Sequence, residues 1–530
     1  MSSARPFYVT TPIYYVNDEP HVGHAYTTIL ADVFARHHRI HGGAVHFLTG
    51  TDEHGQKVQE AAQKRGLTPL QHCDELVERF RALWVRLQVS NDDFIRTTEP
   101  RHEKVVAEFL IELQARGEIY RERYEGLYCT PDERFWTAKD VVDGNCPLCG
   151  RPVVTLTEEN YFFRMSRHQE WLVDYIKTHP EFIQPKTRRN EVLGFLEKPL
   201  GDLCISRPAA RLHWGIPIPF DSEYVTYVWV DALVNYVSAV RETEFWPASL
   251  HLIGKDILTT HCVYWPTLLH ALGLPMPETI LAHGWWLQGE SKMSKSVGNV
   301  VKPLALVDLY GVDAFRYYLM RDMVVGQDAE FSEKHLVQRL NSDLANDLGN
   351  CLNRVERMIG TYAEGRAPEV RGEDDADREL AQTGKRTVVA AQEAMLARRP
   401  HEAIEATLQL VRATNRYLEL KAPWKAFKTD GPTGVATALW TSAEALRLAA
   451  VLLAPVIPAK SGEMLSRLGV ADSPEVWFPR PIVDDEGGAL PPANETAQGA
   501  LAATWGALPP GTEIRPGAAL FPRVETTTES

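Results

Sequence analysis

Three short runs carry side chains whose chemistry goes beyond packing. The first is EPHVGHAY, residues 19–26, where His21 and His24 flank Gly23. Paired imidazoles at this spacing can ligate a metal, fill a core or donate hydrogen bonds to an anion. The metal option needs a third ligand, and HxxH supplies none nearby along the chain. The second is GESKMSKSVGN, residues 289–299, which sets Lys292 and Lys295 among serines and glycines. Small hydroxylic residues make a mobile loop whose two ammonium groups suit a polyphosphate, although a solvated surface loop has the same composition. The third is Cys146-Pro-Leu-Cys149, preceded by Cys129-Thr-Pro-Asp132. A CxxC pair is half a zinc knuckle and wants a second pair about 15–20 residues away. An aspartate replaces the fourth thiol, and zinc accepts a carboxylate oxygen, so Cys129, Asp132, Cys146 and Cys149 can close a tetrahedron. A weakened site, or a knuckle that folds without metal, are the alternatives.

The phosphate loop of P-loop nucleotide hydrolases is not found. GTDEHGQK, residues 50–57, has the glycine spacing, but Gln56 stands where lysine should be, and Asp52 and Glu53 would repel phosphate.

The elements around these runs alternate. FYVTTPIYY is β-rich and breaks into a polar turn; Tyr26, Ile29, Leu30, Val33 and Phe34 then fall at helical spacing, and AVHFLTG reads as a second buried strand. That is a βαβ unit, hence a parallel sheet with a right-handed crossover. Later, YVTYVWVDA reads as a strand entering a helix, and LHLIGKD and TILAHGW as strands bracketing another. The expected fold class is α/β: a Rossmann-type, doubly wound domain in two halves, residues 1–115 and 226–290, interrupted by a connective insertion at 116–225 that carries the cysteines. Residues 291–340 hold the Lys/Ser loop, 341–480 an all-α bundle marked by Ile404, Leu408, Val411 and Leu418, and 481–530 a Pro/Gly-rich tail expected to pack back on the core.

Composition bounds the rest. At 530 residues, 44% hydrophobic and 24% charged, the chain is long enough for several cores. A net charge of −14 excludes a general nucleic-acid coat, so any polynucleotide must be bound through local patches. No run at the start resembles a secretory signal, and the greasiest stretch, between Arg447 and Lys460, is too short to cross a bilayer. Seven scattered cysteines do not make a disulfide framework. A cytoplasmic protein with no membrane partner is expected.

HVGH after the first strand, with KMSKS after the last, resembles the signature pair of class I aminoacyl-tRNA synthetases. TPIYYVN, TGTDEHG, YVWVDALVNY, IGKDILTTH and KAPW narrow the resemblance to the methionyl-tRNA synthetase family, over about residues 5 to 525. The resemblance implies an enzyme that condenses methionine with ATP, accompanied by Mg2+, to methionyl-adenylate and pyrophosphate, then acylates the terminal adenosine of tRNA. It implies that His21 and His24 contact ATP phosphates, that Lys295 with Lys292 stabilises the departing pyrophosphate, and that Gly23, Gly254 and Asp256 border the nucleotide. Asp52 would pair with the methionine ammonium. Ile13, Tyr15, Trp229, Ala232, Leu233, Tyr236, Ile257 and His261 would form the side-chain pocket, whose aromatic walls suit a thioether. In the bundle, Asn350 and Arg354 share a helix face, and with Trp424 they match the family's readers of a CAU anticodon.

The sequence stops near LFPRVE, without the family's optional oligonucleotide-binding dimerisation domain, and a monomer is expected. The insertion is shorter than the editing insertion of the branched-chain synthetases. The cysteine enzyme places its zinc in the active site, whereas these thiols lie in the insertion. A small nucleotidylyltransferase would leave the bundle and Trp424 unexplained, and a non-catalytic scaffold is disfavoured because His21, His24 and Lys295 are all present.

Overall fold

The structure is a computed structural model that describes residues 6–16, 19–129, 134–136, 140–147, 149–288, 291–292, 301–471 and 503–525. The chain divides into two compact units. The first comprises Met1–Ala31, Gly42–Val85 and Asn91–Gly284; the second comprises Asp32–His41, Arg86–Ser90 and Trp285–Ser530.

The first unit is built on a seven-stranded sheet in which every pairing is parallel. Strand β1, Phe7–Thr10, lies between β3, Val45–Asp52, and the strand Leu250–Gly254. The short β2, Tyr14–Tyr15, and β4, Asp93–Arg96, also pair with β3. Buried runs such as FLTGTD and LHLI show little alternation because both faces of a parallel sheet are covered. Helix α1, Val22–Ile40, links β2 to β3 and begins at the carboxyl edge of the sheet. Strand carboxyl ends of an open α/β sheet are where ligands collect, because helix N-termini there present unpaired N–H groups.

Two features depart from the expected strand plan. Ile183–Gln184, from within the stretch expected to interrupt the sheet, pairs in parallel with Ile280–His283 at the sheet edge, and Phe182 and Ile183 are buried in the same core. A strand of two residues has no readable alternation. Conversely, Asp221–Thr226 does precede a helix, Val228–Ser238, but it joins a separate antiparallel sheet with Ser206–Pro208 and Pro217–Ile218. Proline lacks an N–H for an inner ladder, and Pro208 and Pro217 accordingly sit on the two outer strands.

Among its described residues the second unit contains a small sheet, Trp286–Gln288 with Ser291–Lys292 and Ala329–Glu330, and its other regular elements are helices. Residues 503–525 lie on the helices. The buried Glu444 carboxylate accepts the N–H groups of Gly506, Ala507 and Leu508 at 2.7, 3.1 and 3.0 Å and pairs with Arg447 at 2.8 Å. The helix Pro423–Leu453 is long and apolar enough to cross a membrane, yet 94% of its most apolar window is buried inside the protein. Gly431, at φ 64°, kinks it beside Pro432. It is the central helix of the bundle core.

Candidate active site

His21 and His24 stand at the start of α1 with rings stacked at 3.8 Å between centroids. The Gly23 N–H donates to His21 Nδ1 at 3.0 Å, and the His21 N–H donates to His24 Nδ1 at 3.1 Å. Backbone N–H groups only donate, so each Nδ1 is the bare nitrogen and each Nε2 carries the hydrogen. The two rings therefore cap their own helix through Nδ1 and carry their hydrogens on Nε2. Gly23 is required: a Cβ there would lie 2.8 Å from His21 Cε1 and force the ring away. Thr27, one turn further along α1, places its hydroxyl 2.7 Å from Nε2 of His283, which ties the helix start to the carboxyl end of Ile280–His283.

At the end of β3, Asp52 is buried and in register with Tyr15 of β2. Its neighbour Glu53, equally acidic in the sequence, is neutralised by Arg96 at 2.7 and 2.9 Å and accepts from the hydroxyls of Thr51 and Thr98, both at 2.7 Å. The two acids thus separate into one structural carboxylate and one at the strand end.

Of the expected methionine-pocket residues, Leu233 and Tyr236 belong to the main core, and Ile13, Tyr15, Trp229 and Ile257 pack against it. Tyr236 meets His261 Nε2 at 2.8 Å, and His261 Nδ1 lies 3.0 Å from the Ile257 carbonyl. Burial pushes the His261 imidazole down to about 4, so it is neutral at pH 7, with the hydrogen on Nδ1 and the Tyr236 hydroxyl donating to Nε2. Trp229 stands edge-on to His261 at 6.4 Å. Ala232 is buried on the same helix. Gly254 ends its strand, and a Cβ there would come within 2.5 Å of Asp256 Oδ1, so glycine lets that exposed carboxylate fold back over the strand end.

A buried network goes beyond the residues singled out by motif. His54 Nδ1 donates to Asp231 Oδ2 at 2.7 Å, His102 Nε2 to Oδ1 at 2.8 Å, and His102 Nδ1 meets Ser238 Oγ at 2.8 Å. Burial works against a charged His54, but the Asp231 carboxylate outweighs it and holds the imidazole above its ordinary value. Burial likewise penalises the Asp231 carboxylate, and the two imidazoles hold it below its usual range. The sequence did offer a signal: one carboxylate inside the apolar helix VWVDALVNY has to find partners.

Cys129, Cys146 and Cys149 converge, their Sγ atoms all within 4.8 Å of one another. Cys129 and Cys149 are 3.5 Å apart. Tetrahedral zinc–thiolate bonds of roughly 2.3 Å would place sulfurs roughly 3.8 Å apart, so these three thiols stand close enough together to hold a metal ion. None of the seven cysteines forms a disulfide. Asp132 and Lys295 lie outside the described residues, and Lys292 is described only as part of its strand.

In the helical unit, Asn350 and Arg354 share a face of the helix Asn350–Tyr362. Arg354 pairs with Glu419 at 2.6 Å, and its guanidinium lies 5.9 Å from the Trp424 ring centroid. Half-buried Trp424 follows Ala422, whose φ of 40° breaks the chain between two helices. Asn346, Asp347, Asn350, Asn353, Arg354, Arg357, Arg412, Asn415 and Arg416 line an open groove of about 680 Å³.

Known proteins resemble this chain in both sequence and fold. The sequence matches the family described as tRNA synthetases class I (M) over residues 7–153 and 150–356, and the anticodon binding domain of methionyl tRNA ligase over 367–486. It is 42% identical to the methionine–tRNA ligase of Caldanaerobacter subterraneus subsp. tengcongensis over 99% of this chain and 80% of that protein. It is 43% identical to that of Streptomyces coelicolor over 98% and 97% of the two chains. The fold superposes with a TM-score of 0.89 on the Mycobacterium tuberculosis methionyl-tRNA synthetase bound by methionyl-adenylate, at 37% identity, covering 98% of this chain and 100% of that one. The chain belongs to the class I aminoacyl-tRNA synthetases of the methionine type, the methionine–tRNA ligases.

Proposed function

We propose that the protein ligates methionine to tRNA(Met) with a CAU anticodon, for translation initiation and elongation. The observation that carries this reading is the pair of Nε2–H donors at the carboxyl edge of a parallel sheet, in a chain matched along nearly its whole length by methionine–tRNA ligases. The methionine carboxylate attacks the α-phosphorus of ATP and pyrophosphate leaves. A ribose hydroxyl of the terminal adenosine then attacks the mixed anhydride and AMP leaves. No side-chain nucleophile is needed, so the protein's part is positioning and charge stabilisation.

His21 and His24 donate to the phosphates as negative charge builds, and Lys295 with Lys292 takes the departing pyrophosphate. Gly23 lets the nucleotide approach the helix start, while Gly254 and Asp256 hold the ribose. Asp52 pairs with the substrate ammonium, and the pocket from Ile13 to His261 encloses the thioether. Mg2+ accompanies ATP and neutralises phosphate charge. Zinc on Cys129, Asp132, Cys146 and Cys149 ties the insertion together. Asn350, Arg354 and Trp424 read the anticodon. Residues 1–115 with 226–290 form the catalytic domain around the insertion at 116–225, residues 291–340 carry the Lys/Ser loop, 341–480 form the anticodon domain, and 481–530 are the Pro/Gly-rich tail. The protein works as a cytoplasmic monomer.

The test is ATP–pyrophosphate exchange without tRNA. Exchange driven by methionine and not by leucine, isoleucine or cysteine is expected; silence with all four amino acids would leave a scaffold in its place.

A further inference from the structure

The groove of the helical unit has a charge balance unlike that of the chain around it. Four arginines and one aspartate line it, in a protein of net charge −14. Two of the arginines are already held. Arg354 pairs with Glu419, and Arg412 with Asp347 at 2.7 Å and Glu405 at 3.0 Å. The other two, Arg357 and Arg416, are exposed and make no ion pair among the described residues. Arg357 stands one turn beyond Arg354 on the same face of its helix, and Arg416 one turn beyond Arg412 on the helix Pro400–Lys421. Each uncompensated cation therefore follows a compensated one, along the same direction of its helix.

Between the two helices the lining is amide: Asn346, Asn350, Asn353 and Asn415. Amides present a donor and an acceptor together, which suits the edge of an unpaired base. A guanidinium without a carboxylate partner suits a phosphate. A ligand with polar planar edges and a regularly repeated negative charge is a single RNA strand. An acidic peptide offers the charge without the planar edges.

We propose that Arg357 and Arg416 grip the ribose-phosphate backbone of the tRNA strand whose bases the neighbouring amides read, and so set affinity without setting sequence preference. The proposal rests on the reading of this unit as the anticodon-binding domain and extends it: Arg357 falls outside both stretches matched by the family comparisons.

The experiment measures tRNA affinity of the full chain across a salt series. It compares wild type with Arg357→Ala, Arg416→Ala and Trp424→Ala, each against a CAU tRNA and the same tRNA with one anticodon base replaced. Each arginine variant should lose about three- to tenfold in affinity for both RNAs alike, and the slope of log affinity against log salt should become shallower by roughly 0.7 per arginine. Arg357→Lys and Arg416→Lys should restore the slope, since phosphate accepts a point charge. Circular dichroism confirms that each variant is folded. An unchanged slope, or a loss confined to the CAU tRNA, overturns the backbone assignment and leaves the anticodon reading standing. A Trp424→Ala protein that discriminates the two tRNAs as wild type does overturns the anticodon reading, and this inference with it.

Discussion

The buried polar groups of the sheet unit and the groove of the helical unit are built on opposite plans. In the sheet unit, charged and polar groups are enclosed and matched: Glu53 with Arg96, Asp231 with two histidines, His261 with Tyr236. In the groove, guanidinium groups stand in water, and two of them lack a carboxylate among the described residues. Enclosed, mutually satisfied groups fix a small ligand to a fraction of an ångström but fail sharply when one member is removed. Exposed cations hold a long polyanion through many weak contacts, and each loss is shallow.

The steepest expected consequence lies in the buried network. Asp231→Ala leaves His54 and His102 without their shared carboxylate and should cost about 3–5 kcal/mol of stability, read by urea unfolding. The pH dependence sharpens this. Asp231, depressed in the folded state, contributes above its unfolded pKa of about 3.9 and loses that contribution as pH falls through its folded value. His54, raised in the folded state, contributes fully below its unfolded value of about 6.5 and loses its share as pH rises through the folded one. The gap between wild type and variant should be widest between about pH 4 and 6.5. A gap that keeps widening above this window would contradict the pairing.

Next comes Asp52→Ala, which should lower kcat/KM for methionine in the exchange reaction by roughly a hundred- to a thousandfold while leaving the KM for ATP within a few-fold. If the two substrates suffered equally, Asp52 would not be the ammonium partner. On the groove side, Trp424→Ala should reduce tRNA charging by roughly 5- to 150-fold and spare exchange, as expected for one lost base stack. Equal loss of both activities would give Trp424 a packing role instead. The smallest effect is expected at the thiols. Cys146→Ser should release zinc, which wild type should hold at about one per chain by elemental analysis, yet change exchange only a few-fold, since no thiol of the cluster belongs to the pocket. Wild-type protein that is active and free of zinc would remove the metal from the site.

The candidate site's motifs were legible because they sit at junctions between strand and helix, where composition changes abruptly. HVGH follows a polar turn and opens a periodic helix, and the structure places its rings at that helix start. The tautomers were not legible, because they depend on which backbone N–H each Nδ1 meets. Nor was the difference between Asp52 and Glu53, which are adjacent in sequence while Glu53 draws Arg96 and Thr98 from 43 and 45 positions further along the chain. The sheet edge at Ile183–Gln184 stayed hidden because two residues carry no period. Asp231 was visible as an anomaly in its helix, but its partners come from elsewhere in the chain and cannot be assigned by periodicity.

His54 and Asp231 are 177 positions apart. A ribosome adding roughly 5–20 residues per second needs roughly nine to thirty-five seconds to deliver the second after the first. Throughout that interval His54 has no carboxylate to meet, so this buried network closes only after both segments have left the ribosome.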